Sequence, residues 1–274
     1  MTSPVCLPFC TRWRMSKERV SMSNKLHNKR AIAQAFGRAA QRYTRFAELQ
    51  RTSGEHLMTL ALPLAGQRIL DAGCGTGHFS QRWSALGKQV IALDLSAGML
   101  QQAVAEHSAD AYVQGDIEHL PLADARIDLC FSNLAVQWCE DLPRAIATCY
   151  RATRPGGAVV FSTLAEGSLG ELAQAWLSLD GSKRVNDFLP LAQIADACRP
   201  YRHRLYPHTL TYRFATVSDV MHSLKGIGAT WLHGDRSRGL LTRRRLQALA
   251  QVYPAAPGGF PLSYHLVYGI IYRD

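Results

Sequence analysis

Asp71-Ala-Gly-Cys-Gly-Thr-Gly77 is the stretch that decides the fold of this 274-residue chain. It follows a predicted strand, Arg68–Asp71, and leads into a predicted helix, Phe79–Leu86. Its three glycines let the backbone approach a ligand where any Cβ would collide. The spacing is GxGxG rather than the GxGxxG of dinucleotide enzymes. The carboxylate of Asp71 would repel a pyrophosphate, so the turn favours a ligand that carries an ammonium and a sulfonium.

Short apolar strands and helices of about ten residues alternate around this turn. The predicted strands are Arg68–Asp71, Gln89–Asp94, Ala111–Gln114, Ile127–Ser132, Ala158–Thr163, Leu205–Phe214 and Tyr264–Tyr272. Alternation of this kind requires right-handed crossovers. The sequence therefore predicts an α/β fold with a doubly wound, mainly parallel, seven-stranded sheet.

The N-terminal part lies outside this alternation. Residues 1–22 show no clear period, and we interpret them as a disordered tail or as residues upstream of a start at Met22. Apolar residues at helical spacing predict a helix over Lys25–Gln50, which would cover the sheet, and a second helix over Gly54–Leu62. We expect residues 23–274 to form a single domain.

Within that domain, residues 53–165 with the final strands up to residue 272 form the expected core. The alternation breaks after Thr163, and helical segments follow in the C-terminal third. We expect some of the residues between 164 and 260 to be inserted as a cap.

Two more acidic residues fall at predicted strand ends. Asp94 closes the second strand, where a carboxylate can accept hydrogen bonds from both hydroxyls of a ribose. Asp116 follows the third strand and can accept from an adenine amino group while Ile117 packs on the ring. Any one of these residues would commonly be a helix cap or a surface group. The carboxyl ends of parallel strands border one crevice, so Asp71, Asp94 and Asp116 together indicate a ligand site.

These motifs, with Arg154-Pro-Gly-Gly157 before the fifth strand, resemble the class I S-adenosylmethionine-dependent methyltransferases over residues 65–165. The resemblance implies a Rossmann-like fold and S-adenosyl-L-methionine as the cofactor. The residues it implies for cofactor binding are Asp71, Gly73, Cys74, Gly75, Gly77, Asp94, Leu95, Met99, Asp116, Ile117 and Asn133.

Four further stretches are similar to the malonyl-acyl-carrier-protein O-methyltransferases of biotin synthesis. They are Phe36–Ala40 with Tyr43, Ser132–Trp138, Ser223–Thr230 and Pro261–His265. This resemblance implies methylation of the free carboxylate of a malonyl thioester, on acyl carrier protein or on coenzyme A. The product would be elongated toward pimeloyl.

Such a reaction requires no general base, because a carboxylic acid with a pKa near 4 is already ionised at pH 7. Catalysis would come from alignment in a dry site. Tyr43, Asn133, Gln137 and Lys225 are the candidates for positioning the acceptor. Arg204 is a further candidate for contacts with the carboxylate or with phosphopantetheine. Phe36 and Trp138 also fit a place beside the sulfonium, although their spacing favours core packing.

The net charge of +10 is unevenly distributed: +9 over residues 1–52, −7 over 53–180 and +8 over 181–250. Basic flanks indicate an anionic partner. Thr242–Leu246, a basic helix start, fits a docking surface for an acidic acyl carrier protein. The alternatives are a methyltransferase acting on RNA, one acting on another small carboxylic acid, and a cofactor-binding regulator without activity. Nucleic acid is disfavoured because the motif after the fourth strand does not suit exocyclic amines.

Other partners are expected to be absent. No apolar run approaches the 18–20 residues of a membrane-spanning helix. The histidines lack metal-ligand spacing, and seven cysteines without a CxxC motif fit reduced thiols better than a disulfide framework or a zinc site. We therefore expect a cytoplasmic protein with no metal.

Overall fold

The computed structural model describes residues 29–40, 43, 47–182, 184–226 and 242–274. The predicted tail over residues 1–22 lies outside the described residues. So do the last four residues of the Ser223–Thr230 motif.

A seven-stranded sheet forms the centre of the molecule, in the order β3-β2-β1-β4-β5-β7-β6. Strand β7 is antiparallel to both β5 and β6, and the other described pairs are parallel. The prediction of a doubly wound, mainly parallel sheet is confirmed. The strands are β1 (Arg68–Ala72), β2 (Gln89–Asp94), β3 (Ala111–Gln114), β4 (Ile127–Asn133), β5 (Thr153–Leu164), β6 (Arg202–Phe214) and β7 (Phe260–Tyr272).

Helices cover both faces of the sheet. They are α1 (29–40), α2 (Glu48–Ala61), α3 (His78–Ala85), α4 (Ala97–Ala105), α5 (Leu142–Ala152), α6 (Gly170–Asp180), α7 (Leu191–Cys198), α8 (Val217–Gly226) and α9 (Arg243–Val252). The predicted boundary between the first two helices was wrong, because α2 already begins at Glu48. Its first two turns bury Leu49, Ser53 and Gly54, so tertiary packing fixes where it starts.

Alternate side chains of the buried strands lie on opposite faces of the sheet, in two apolar layers. Along β4, Leu129 and Phe131 point into the layer formed with α2 and α3, where Trp83 is fully buried. Cys130 points to the opposite layer with α5 and α7. Because apolar side chains fill both faces, β4 is rigid and fixes the position of its carboxyl end.

The segment between β5 and β7 completes the sheet and also adds a separate layer of helices. Helix α7 packs against α5, and β6 pairs along the whole of β7. Helix α9 packs against both α6 and α8, and the three helices add Leu172, Leu224 and Leu249 to the apolar layer beside α2. We call α6, α8 and α9 the cap layer.

Substituting Gly54 tests the packing of α2. An alanine Cβ there would lie 2.0 Å from Cζ of Phe79, whereas one at Gly170, the first residue of α6, would meet nothing within 4 Å. We expect Gly54→Ala to lower the free energy of unfolding by about 1–3 kcal/mol through overpacking, despite the better helix propensity of alanine. Urea unfolding measures the change, with Gly170→Ala as the control. A Gly54→Ala variant as stable as the parent would contradict this packing.

Candidate active site

The turn between β1 and α3 depends on glycine at the predicted positions. Gly73, Gly75 and Gly77 all adopt positive φ angles, of 81°, 57° and 87°. The amides of Gly73 and Cys74 both donate to the carbonyl of Leu93, at 2.7 and 2.9 Å, which ties the turn to β2. A Cβ on Gly73 would lie 2.3 Å from that of Ala135. The turn is thus held between β2 and the segment after β4.

Two carboxylates lie beneath this turn. Asp94 accepts hydrogen bonds from the amides of Gly75 (2.9 Å) and Ser96 (2.7 Å). Asp71 is buried and accepts one from the hydroxyl of Ser80 at 2.6 Å. No lysine or arginine among the described residues forms a salt bridge with either carboxylate.

Burial, with no salt-bridge partner among the described residues, changes the acidity of both groups. It raises the pKa of Asp71 to about 7 and that of Asp94 to about 6, although hydrogen bonds to the two side chains act in the opposite direction. A positively charged ligand beside them would restore the ionised forms. The site therefore fits a cation, as the sequence predicted from Asp71.

Asp116 has a partner that sequence reasoning missed. The ammonium of Lys29, on α1, lies 2.5 Å from its Oδ2 and also contacts Glu118. Although burial acts in the opposite direction, the hydrogen bond from Lys29 holds the pKa of Asp116 below its usual range. The side chain of Asp116 remains 24% exposed, so it can still accept from a ligand. Because Lys29 lies 87 residues from Asp116, no local sequence pattern signals the pair.

The predicted cofactor residues surround a cavity of about 100 Å³, which we call the loop cavity. It is lined by Gly73, Gly75, Asp94, Leu95, Met99, Asp116, Ile117 and Asn133, together with residues of α1. An adjoining recess of about 50 Å³ adds Asp71 and Cys74. Gly77 lines neither space, because its Cα faces Ser108, and a Cβ there would lie 2.2 Å from the hydroxyl oxygen. Glycine at this position allows the start of α3 to pack closely against α4.

A second cavity, of about 210 Å³, lies beside the loop cavity, and we call it the apolar chamber. The two spaces share Phe36, Tyr43, Leu134 and Trp138 in their walls. The ring of Phe36 contacts those of Tyr43 and Trp138 edge-on, with centroids 6.4 and 5.2 Å apart. Burial and the nearby Asp94 raise the pKa of Tyr43, so its hydroxyl stays protonated and can donate a hydrogen bond. The chamber and the loop cavity thus meet at an aromatic wall.

Comparison with known proteins identifies the family. Residues 70–161 match the family model described as a methyltransferase domain. The malonyl-[acyl-carrier protein] O-methyltransferase of Pectobacterium atrosepticum is 60% identical over 253 residues, which are 92% of this chain and 100% of the relative. That of Yersinia pestis is 58% identical over 247 residues, 90% of this chain and 92% of the relative. The chain belongs to the malonyl-[acyl-carrier protein] O-methyltransferase family.

The fold is also that of a solved methyltransferase structure. A putative methyltransferase from Bacillus halodurans superimposes with a TM-score of 0.58 at 16% identity, covering 81% of this chain and 99% of that one. Membership in the malonyl-[acyl-carrier protein] O-methyltransferase family makes the chain a methyltransferase enzyme with S-adenosyl-L-methionine as its cofactor. The predictions of enzyme class and cofactor are confirmed.

The predicted acceptor residues have different surroundings. Gln137 lines the apolar chamber, and its buried Oε1 has no hydrogen-bond partner within the described chain. Asn133 has a partner at each end of its amide, since its Nδ2 donates to the carbonyl of Gln50 at 2.9 Å and its Oδ1 accepts from Ser162 at 2.8 Å. Gln50, which sequence reasoning missed, also lines the chamber, and its buried Oε1 has no hydrogen-bond partner among the described residues. Two amide oxygens in the chamber wall therefore lack partners within the described part of the chain.

Of the two predicted cations, only Arg204 has a described side chain. Lys225 belongs to α8, but its side chain lies outside the described residues. Arg204 was wrong as an acceptor contact, because it is exposed on β6 opposite Ile270 and lines neither cavity. The alternation of side chains along the edge strand turns it toward solvent.

The described part of the chain lacks two further kinds of feature. No group of three or more histidine, cysteine, aspartate or glutamate side chains there is placed to hold a metal ion. None of the helices described is both long and apolar enough to cross a bilayer.

The raised pKa values predict a pH-dependent affinity for the cofactor. Above about pH 7 both carboxylates are ionised, whereas a cationic ligand that binds at lower pH must first displace their protons. We expect the affinity for S-adenosyl-L-methionine to fall roughly a hundredfold from about pH 8 to about pH 5.5, with proton release on binding. Isothermal titration in buffers of different ionisation enthalpy measures both effects. S-adenosylhomocysteine, which lacks the sulfonium charge, should show the weaker dependence, and equal behaviour of the two ligands would contradict this interpretation.

Proposed function

We propose that this chain transfers the methyl group of S-adenosyl-L-methionine to the free carboxylate of a malonyl thioester on acyl carrier protein, with malonyl-coenzyme A as a second acceptor. The product is the malonyl methyl ester that enters pimeloyl and biotin synthesis. The names of the 60% and 58% identical relatives support the acceptor. The observation that carries the proposal is the junction of the apolar chamber with the loop cavity at Tyr43.

The loop cavity and its recess are the proposed cofactor site. Asp94 would accept hydrogen bonds from the ribose hydroxyls, and Asp116 with Ile117 would hold the adenine. Asp71, in the recess with Cys74, would face the cationic end. When bound, the cofactor supplies a methyl group made electrophilic by its positively charged sulfur.

The acceptor site is the proposed role of the apolar chamber. The acceptor carboxylate is ionised at neutral pH, so the chain has to orient it rather than deprotonate it. The hydroxyl of Tyr43 can donate to one carboxylate oxygen and leave the other free to attack. Phe36 and Trp138 exclude water from the junction, and Asn133 fixes the backbone of Gln50. Gln137, whose amide group reaches the same chamber, and Lys225 on α8 remain the proposed further contacts.

We also propose that residues 23–274 act as one methyltransferase domain, with the cap layer of α6, α8 and α9 closing the acceptor side. The basic flanks would equally suit an RNA substrate. The relatives' names disfavour that alternative, since they specify an acyl-carrier-protein substrate.

A mass-shift assay tests the proposed reaction. Purified chain and methyl donor are incubated with malonyl carrier protein, succinyl carrier protein and unacylated carrier protein. We expect one added methyl group on the malonyl form only, in a product cleaved by mild alkali as an ester would be. No methylation of the malonyl form, or equal methylation of the unacylated protein, would contradict the proposal.

Asp94→Ala tests the cofactor assignment. Loss of a charged hydrogen-bonding group typically costs about 1.5–3 kcal/mol, so we expect cofactor affinity to fall at least about tenfold. Equilibrium dialysis measures it, with Asp110→Ala as the control, because Asp110 accepts from an amide at the far end of β2 and lines neither cavity. Unchanged affinity in Asp94→Ala would refute the ribose assignment.

Only part of the predicted docking surface at Thr242–Leu246 is available to a partner. Arg243 and Arg244 are exposed, whereas Arg245 turns inward to the apolar chamber. We expect the double variant Arg243→Glu, Arg244→Glu to raise KM for malonyl carrier protein several-fold and to affect malonyl-coenzyme A less, because only the carrier protein offers an extended acidic surface.

The control for this pair is Arg126→Glu, Arg199→Glu. These exposed residues precede β4 and β6, at the edge of the sheet opposite the cavities, and their reversal changes the net charge equally. Equal effects of the α9 variant on both acceptors, or equal effects of the two double variants on the carrier protein, would exclude docking at α9.

A further inference from the structure

Two arginines from distant parts of the chain meet in the wall of the apolar chamber. Arg184 follows α6 and Arg245 lies in the first turn of α9, and both line the chamber. Their guanidinium carbons lie over the indole of Trp176, 4.8 and 5.6 Å from its centroid. Both guanidinium groups also reach the carboxylate of Asp180, Arg184 at 3.1 Å and Arg245 in closer contact. We call this group the arginine pair.

The arginine pair does not belong to the methyl-transfer end of the chamber. That end is marked by Phe36, Tyr43, Leu134 and Trp138, which the chamber shares with the loop cavity. Arg184 and Arg245 line the chamber only. The carboxylate that accepts the methyl group must lie at the shared end, so the arginine pair is available for a different part of the acceptor.

The pair also reaches solvent. The side chain of Arg245 is 30% exposed and that of Asp180 is 26% exposed, whereas that of Arg184 is 15% exposed. Besides the pair and the aromatic wall, the chamber is lined mainly by apolar side chains, including Leu172, Phe188 and Leu224. A long, flexible acyl carrier arm that enters past the arginines would therefore run along an apolar wall.

The charges within this group favour an anion. Two guanidinium groups face one carboxylate, which leaves one positive charge uncompensated among the described residues of the group. Asp180 is itself fixed by the amide of Ser182 at 3.1 Å, and Arg184 Nε donates to the hydroxyl of Ser182 at 2.9 Å. The two side chains are thus held in place by Asp180 and by stacking on Trp176. Guanidinium groups held in this way match the oxygens of a phosphate ester, which they bind bidentately.

We propose that Arg184 and Arg245 bind the phosphate of the phosphopantetheine arm, and so determine that the enzyme accepts phosphorylated carrier thioesters in preference to a free malonyl compound. This inference rests on the proposed function. The phosphate ester is common to acyl carrier protein and coenzyme A, so the arginine pair recognises a feature of both acceptors. Carrier-protein docking at Arg243 and Arg244 would be a separate contribution.

The test compares two small acceptors that differ only in the phosphate, malonyl-pantetheine and malonyl-4′-phosphopantetheine. For the parent chain we expect KM to be about tenfold lower with the phosphate, the size of one charged hydrogen-bonded contact. In Arg184→Gln and in Arg245→Gln this preference should shrink toward one through a higher KM for the phosphorylated acceptor, with kcat and the KM of malonyl-pantetheine little changed. Arg245→Lys should restore part of the preference, and Arg126→Gln should retain all of it.

Equal losses on both acceptors would overturn the inference, because they would indicate contact with the malonyl end or a structural role. A parent chain without preference for the phosphate would overturn it too. Inhibition of the parent chain provides a readout that does not depend on folding of a variant: 4′-phosphopantetheine should inhibit more strongly than pantetheine, and equal inhibition contradicts the inference. Malonyl carrier protein is the positive control. If the parent chain methylates neither the two small acceptors nor malonyl carrier protein, the proposed function fails and the inference with it, an outcome distinct from methylation of both small acceptors without discrimination.

Discussion

The burial of two carboxylates, with no salt bridge to a lysine or arginine among the described residues, beneath a turn that requires glycine, is the constraint on which the rest of the site depends. Asp71 and Asp94 are held by hydrogen bonds from Ser80, Gly75 and Ser96, which fix their positions without neutralising their charge. Burying such a charge is costly, and the raised pKa values of both groups express that cost. A cationic cofactor relieves it, because the positive charge favours the ionised carboxylates. The same arrangement would bind a pyrophosphate poorly.

The proposed cofactor and acceptor sites adjoin where different parts of the chain converge. The sheet supplies the carboxylates, α1 and the following segment supply Phe36 and Tyr43, and the cap layer supplies the outer wall of the apolar chamber. Lys29 bonds α1 to Asp116 at the sheet edge, so the aromatic wall and the proposed adenine site are linked through one helix. The cofactor site and the acceptor site are thus built by different parts of the chain. A cofactor-binding core that very different relatives share can therefore be combined with a site for one particular acceptor. The core determines the methyl donor, and the added helices determine what can approach it.

The sequence was informative where structure is local. Alternating apolar residues and the glycine turn predicted the sheet, and the predicted bounds of β2 and β3 agree with the observed ones. The strand-end positions of Asp94 and Asp116 follow from the same pattern. Lys29, Gln50 and Arg184 were missed because their roles arise from contacts between distant segments, which no spacing records. Arg204 was wrong for a related reason: its charge suggested a ligand contact, but the alternation along an edge strand points it to solvent. Gly77 lies outside the cavities because packing of α3 against Ser108 requires it.

Carbon-detected NMR titration of the Asp71 and Asp94 carboxyl groups, with and without S-adenosyl-L-methionine, tests the buried-carboxylate constraint most directly. In the free protein the expected pKa values are about 7 and about 6. Both pKa values should fall clearly below these free-protein values when the cofactor binds, because its positive charge stabilises the ionised forms. Ordinary carboxyl pKa values near 4 in the free protein, unchanged by the cofactor, would show that these groups do not face a cation.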